Sequence, residues 1–245
     1  MKHLDQVRNY RRLCSSLPGE ISYQVVIEQS DLFVISSKDL RSQILDRLYM
    51  VRRHLKGFIF LNPEFAESLV PVKIMDGAPQ IVKDMAKAAS LFGVGPMAAV
   101  AGAIAQDIAD HMHHECPEIL VENGGDVFIH SKTDRTVGLL PHPEEPVTLG
   151  IKITKEQLPC AVCSSSSTIG HSLSLGNGDL VTVLAGSGAV ADAAATALCN
   201  ILHSKKSLKR INELRPQLEK KGIRGVLAQM GSDFTAWGDV ELVMV

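Results

Sequence analysis

The sequence predicts an α+β fold. Three observations carry this. Short β-branched or alternating runs recur along the chain, each bounded by Gly, Pro, Asn, Asp or Ser. Two alanine-rich helical stretches, smooth enough for other backbone to approach closely, stand among them. No repeat, low-complexity tract or linker divides residues 1–245, so the chain reads as a single compact domain.

Taken in order, Ile21 to Ser36 alternates as two strands with a turn near Gln29-Ser30-Asp31. Ser37 to Lys56 is helical: Ser37 can cap it, and Leu40, Ile44, Leu48, Val51 and Leu55 recur at helical spacing. Arg41, Arg47, Arg52 and Arg53 fall mostly on the other face and read as solvated surface. Gly57 should end this helix, and Pro63 should open a short one, Glu64 to Leu69. Ala78 to Leu91 reads as an amphipathic helix, broken by Gly93-Val94-Gly95-Pro96. Pro96 suits the first turn of the next helix, which runs to about His114 and opens with small residues. From Glu118 to Ser131 the pattern is strand, turn, strand, with Asn123-Gly124-Gly125-Asp126 as the turn. TVGLLPH, VTLGIKI and Ala161-Val162-Cys163 give further short strands. Ser164 to Thr168 is a hydroxyl-rich loop, and Gly170 to Asp179 a second loop. Val181 to Leu184 is a buried strand, followed by a break at Ala185 to Gly188 in which Ser187 can cap a helix from Ala189 to His203. Ser204 to Arg215 is charged and expected at the surface, and the last stretch ends in strand-like residues.

Composition narrows the function. With 45% hydrophobic residues the core is ample and global disorder is excluded. A net charge of −2, with Lys and Arg spread along the chain, argues against nucleic acid as a partner. An aromatic content of 4% weakens any case for base stacking. The opening residues have no apolar core and do not read as a signal peptide. The longest low-polarity run, Phe92 to Ala105, is too short to span a bilayer. A cytoplasmic protein without a membrane partner is expected, its cysteines at 14, 116, 160, 163 and 199 reduced.

Candidate chemistry starts with Asp192 and Thr196, a carboxylate and a hydroxyl stacked one turn apart on an otherwise apolar helix. Burying either alone is costly, and a hard cation such as Mg²⁺ would take both oxygens. The alternative is an Asp favoured by its helix dipole and a Thr bonded back to its own backbone. Asn123-Gly124-Gly125-Asp126 is either a plain hairpin turn or a place where a ligand lies against open backbone. Ser167, Thr168, Gly170 and His171 belong to loops whose hydroxyls and amides suit an anionic group such as phosphate. Asp107, His111 and His114 share a helix face that could hold a metal, although a solvated helix end explains them as well. Cys160 and Cys163 have the spacing of half a zinc or redox motif, but in a strand they point to opposite faces.

Three of these stretches fall in the order seen in the ApbE family of flavin transferases. They are Val94-Gly95-Pro96, then Asn123 to Asp126, then Ala191-Asp192-Ala193-Ala194-Ala195-Thr196-Ala197, which resembles that family's ADALATA segment. The segments from Asp31 to Val72 and from Ser164 to Asp179 look closer still to the small UPF0280 branch, and that similarity covers nearly the whole chain. The resemblance implies an ApbE-like fold, mixed or antiparallel sheets packed with helices around one cleft, in which Asp192 and Thr196 bind Mg²⁺ with a backbone carbonyl from an earlier segment. It implies that Asn123, Gly124, Gly125 and Asp126 help form a pocket for FAD or FMN. Ser167, Thr168, Gly170 and His171 would face a small phosphate-bearing ligand, with His171 a catalytic proton donor. The chain would then be a relative of FMN transferases or FAD pyrophosphatases. It also departs from the family pattern. The Lys-Gly-Tyr segment before the glycine turn is replaced near Ala101 to Gln106, and the His-x-x-Asp-Pro-x-Thr-Gly segment by residues 170–179, where only His171 matches. The alternative is a non-catalytic or differently specific cytosolic accessory protein, associated at family level with anaerobic sulfur assimilation and homocysteine formation. A homodimer and a protein partner both stay open.

Overall fold

The computed structural model describes residues 11, 17–139, 149–166 and 180–245, apart from the side chain of residue 205. The chain opens with a hairpin of β1 (Ile21–Ile27) and β2 (Ser30–Ser36), then runs through α1 (Arg41–Leu61), α2 (Glu64–Glu67) and α3 (Gln80–Phe92). A short 3₁₀ turn, Pro96–Ala99, leads into α4 (Val100–Met112). Next come β3 (Ile119–Asn123), β4 (Asp126–His130), β5 (Arg135–Gly138), β6 (Leu149–Ile153), β7 (Cys160–Ser165) and β8 (Leu180–Ala185). The chain continues through α5 (Gly188–Ile201), α6 (Lys205–Glu213), α7 (Arg215–Lys220), β9 (Ile223–Met230), β10 (Asp233–Gly238) and β11 (Glu241–Met244). Eight strands form one sheet in the order β1-β2-β3-β4-β7-β8-β9-β10, and β11-β6-β5 form a second. Every pairing in both is antiparallel.

The middle of the large sheet, β3, β4, β7 and β8, is buried on both faces because these strands alternate between two apolar partners. On β3, Ile119 and Val121 join the cluster that holds the helices, while Leu120 joins a second cluster with Val137, Ile151 and Ile153 of the small sheet. Cys160 and Cys163 of β7 divide in the same way, Cys160 toward the small sheet and Cys163 toward the helices. Both are buried free thiols, as a strand spacing of three requires. The small sheet is pinned by Arg135, a fully buried cation. Its guanidinium donates to both oxygens of Glu20 and to Glu118, while its Nε donates to Ser131 Oγ at 2.9 Å.

Several boundaries differ from the sequence reading for local reasons. α1 begins only at Arg41, because Ser36 turns its hydroxyl to the Lys38 carbonyl and Ser37 faces Cys116, so Ser37 caps nothing. Gly57 does not stop the helix: Phe58 and Ile59 pack on the core, and the last carbonyls are met by the Asn62 amide. Ser164 and Ser165 belong to β7 rather than to a loop. Ser187 stands at the N-cap of α5 without a side-chain capping bond.

The two small-residue helices, α4 and α5, cross in direct backbone contact. A Cβ placed on Gly102 would lie 2.3 Å from the Gly188 carbonyl oxygen, and one on Gly188 would lie 2.1 Å from the Gly102 oxygen. No side chain fits there. Gly57, in contrast, has nothing within 4 Å of where a Cβ would stand. Gly102→Ala should therefore destabilise the protein by roughly 1–3 kcal/mol or more through overpacking. Gly57→Ala should stabilise it by about 0.5–1 kcal/mol through helix propensity. Denaturant unfolding of both variants checks the opposite signs.

Candidate functional site

The α4–α5 crossing places Asp192 on the open end of α4. Gly102 N–H donates to Asp192 Oδ2 at 2.9 Å, and the Ala101 amide also bonds to this carboxylate. These are first-turn amides of α4, which lack intrahelical acceptors. The bond is reciprocated: Gly188 N–H, at the start of α5, donates to Gln106 Oε1 of α4 at 2.7 Å. Thr196 follows Asp192 by one turn and is buried.

The glycine turn is held against the same place. Gly124 and Gly125 have φ of +69° and +107°, values that β-carbon residues rarely adopt. Gly125 N–H donates to Glu122 Oε1 at 2.8 Å, and Glu122 Oε2 in turn accepts from Arg11 Nε at 2.8 Å. Arg11 also reaches Asp31, through Oδ1 at 3.0 Å and its carbonyl at 2.7 Å. Asn123 donates from Nδ2 to the Ala101 carbonyl at 3.2 Å, which ties the turn to the N-terminus of α4. Asp126 is buried beside Asp192, with Ser164 N–H donating to its Oδ1 at 3.2 Å and the Cys163 thiol also bonded to it.

Two carboxylates thus stand together in a place poor in solvent. Burial pushes the Asp192 carboxyl up to about 7, against the opposing pull of the Gly102 and Ala101 amides. Burial, then the Asp192 charge, raise Asp126 well above the ordinary carboxylate range. Burial first, then these two carboxylates, raise the Cys163 thiol, which is therefore no nucleophile at neutral pH.

Of the residues singled out in the sequence, the structure gathers Asn123, Gly124, Gly125, Asp126 and Asp192, and buries Thr196 one turn further along α5. Ser167, Thr168, Gly170 and His171 lie outside the described residues. For Asp107, His111 and His114 the sequence leaves a metal site and a solvated helix end both open, and the structure gives the acid another partner. Arg47 clasps Asp107 through Nε at 2.7 Å and Nη2 at 2.8 Å. Among the described residues, no group of three His, Cys, Asp or Glu converges as a metal cage. These side chains instead help line a hollow of about 350 Å³, bounded also by Gln80, Asp84, Gln106 and Ala189. Arg47 thus serves as a salt-bridge partner, not as solvated surface. Sequence reasoning missed Gln106, Glu122 and Arg11, whose roles are contacts across 82 to 111 positions of chain.

A family model described as AbpE bacteria matches residues 14–230. A UPF0280 protein of Methanopyrus kandleri is 41% identical over 181 residues, 74% of this chain and 73% of its own. One from Methanocaldococcus jannaschii is 36% identical over 208 residues, 83% of this chain and 84% of its own. The chain belongs to the ApbE-like family, in its UPF0280 branch. The fold agrees. An ApbE protein from Thermotoga maritima aligns with a TM-score of 0.63 at 12% identity, over 88% of this chain and 96% of its own. The flavin transferase ApbE of Vibrio cholerae aligns with a TM-score of 0.51 at 14% identity, over 89% and 96%. No single helix among the described residues is long and apolar enough to cross a membrane.

The pH dependence of stability follows. Asp192 holds its proton up to about 7 in the fold but gives it up near 3.8 when exposed. The folded state binds more protons across that window, so the cost of ionising a buried Asp192 is absent below it and complete above it. Without divalent cations, wild type should lose stability relative to Asp192→Asn as pH rises from 3.8 to about 7. Thermal unfolding of both proteins across this range checks the slope, and a constant gap between them refutes it.

Proposed function

We propose that this protein is a Mg²⁺-assisted, ApbE-like protein acting on a phosphate-bearing ligand, a flavin nucleotide such as FAD or FMN, with flavin transferase-like chemistry. One observation carries the reading: Asp126 and Asp192 repel each other, and no ion pair among the described residues involves either. Two adjoining buried carboxylates call for a cation or a shared proton. The donors suit Mg²⁺, a hard ion that prefers oxygen. Asp192 is anchored to α4 through Oδ2, so Asp192 Oδ1 and the Thr196 hydroxyl are the groups that would hold it.

Mg²⁺ would supply positive charge against phosphate oxygens during transfer. The chain's own residues supply position. Gly124 and Gly125 leave backbone open to a flat ligand, and Asn123 and Glu122 fix that turn to α4 and to Arg11. The first-turn amides of α4 and α5 favour negative charge nearby. His171, with Ser167, Thr168 and Gly170, would meet the phosphate end, as the family resemblance implies, with His171 donating a proton.

A second reading, a cytosolic accessory protein that binds without turnover, is favoured by one observation: the segment of the family's Lys-Gly-Tyr here carries Gln106, whose amide is engaged within the fold. Purified full-length chain with FAD and Mg²⁺ should release AMP or load FMN onto an acceptor threonine, and Asp192→Ala should reduce this by on the order of 100-fold or more. Product analysis by chromatography and mass measures it. No turnover, together with equal stabilisation of wild type and Asp192→Ala by Mg²⁺, would reject the metal-dependent reading. No turnover with Mg²⁺ stabilising only the wild type would favour the accessory protein.

A further inference from the structure

The α4–α5 crossing contains an echo that no overall repeat in the chain announces. Gly102-Ala103-Ile104-Ala105-Gln106 begins at the third residue of α4, and Gly188-Ala189-Val190-Ala191-Asp192 opens α5. Each glycine abuts the other's carbonyl. Each glycine amide donates to the side chain four residues further on in the opposite helix, Gly102 to Asp192 at 2.9 Å and Gly188 to Gln106 at 2.7 Å. The two pentapeptides are thus related by a local two-fold relation through the glycine pair, with Gln106 the counterpart of Asp192.

Gln106 is held in one orientation by its surroundings. Its Oε1 accepts from Gly188, while its Nε2 donates to Asp110 Oδ2 at 3.2 Å. A carboxylate could not make both bonds, and an apolar side chain could make neither. Ser187 does not cap α5 through its side chain, so Gln106 serves the first-turn amide of Gly188. Asp192 sits one turn along that same helix. Loosening the first turn of α5 would move the Asp192 carboxylate relative to the α4 amides it accepts from, and groups that orient a ligating side chain commonly set its affinity.

We propose that Gln106 is a positioning residue for Asp192, acting through the Gly188 amide and the glycine contact. Its metal readout rests on the Mg²⁺ reading above; its second readout does not. Mg²⁺ binding is measured by calorimetry on the full chain for wild type, Gln106→Glu and Gln106→Met. Gln106→Met should weaken Mg²⁺ binding by about 10-fold, and Gln106→Glu, which keeps the acceptor, should stay within about 3-fold of wild type. In parallel, a denaturant double-mutant cycle joins Gln106→Met to Asp192→Ala in the metal-free protein. The double variant should fall short of the product of the single effects on the unfolding constant by roughly 3-fold or more. Mg²⁺ binding by Gln106→Met at wild-type strength, or additive effects in the cycle, would overturn the proposal. If wild type takes up no Mg²⁺ at millimolar concentration, the Mg²⁺ reading falls by itself and the cycle alone decides: non-additivity sustains the positioning role, additivity ends it.

Discussion

Where α4 meets α5, carbonyl oxygens occupy the space that a β-carbon would need. Other features of the site depend on this closeness. A helix N-terminus presents amides without acceptors, and each of these two presents them to the other helix's side chains rather than to water. With larger residues at positions 102 and 188, the axes would separate and Asp192 would lose contact with the α4 amides. The glycine turn is tied in through Asn123 and the Ala101 carbonyl, so the spacing of the helices also sets where the turn and Asp126 stand.

Charge is handled differently here from elsewhere in the molecule. Arg135 is fully buried, yet it is matched by Glu20 and Glu118. Arg47 is matched by Asp107, and Arg11 by Asp31 and Glu122. Such pairing is what a buried ion requires, because an uncompensated charge in a poorly solvated place is strongly unfavourable. Asp126 and Asp192 break this pattern. They receive neutral amides and a thiol, and each carboxylate is held above its ordinary range by burial. Such strain is an expected mark of a functional site in a fold that satisfies its charges elsewhere.

The parts of the fold legible in the sequence are those set by local pattern. Alternation marks β1 and β2, paired glycines mark the turn between β3 and β4, and alanine runs mark α4 and α5 as close-packing elements. Boundaries were less legible. Ser37 and Ser187 look like caps but have other surroundings, and Gly57 is carried through α1 by the burial of Phe58 and Ile59 beyond it. In the site, Asp192 is legible as a polar residue on an apolar face, but the amides of a second helix as its hydrogen-bond partners are not. It serves the amides of another helix, neither its own dipole nor a bond along its own chain. Gln106 carried no such signal, since a glutamine near a helix end is ordinary until Gly188 arrives from 82 residues away.

The structural relatives share only 12–14% of their residues with this chain over nearly nine-tenths of its length. Such divergence is intelligible if the fold asks little of most positions. A strand buried on both faces needs apolar residues of suitable size, not particular ones. The contact between α4 and α5 asks much more: no side chain where the backbones meet, and an acceptor four residues later on each helix. Gln106 and Asp192 both meet the second demand, yet only Asp192 brings a carboxylate. The two-fold relation therefore leaves the crossing symmetric in its packing and unequal in its charge. That inequality sets the Asp192 side, beside the second buried carboxylate Asp126, apart from the hollow on the Gln106 side, where Arg47 already answers Asp107.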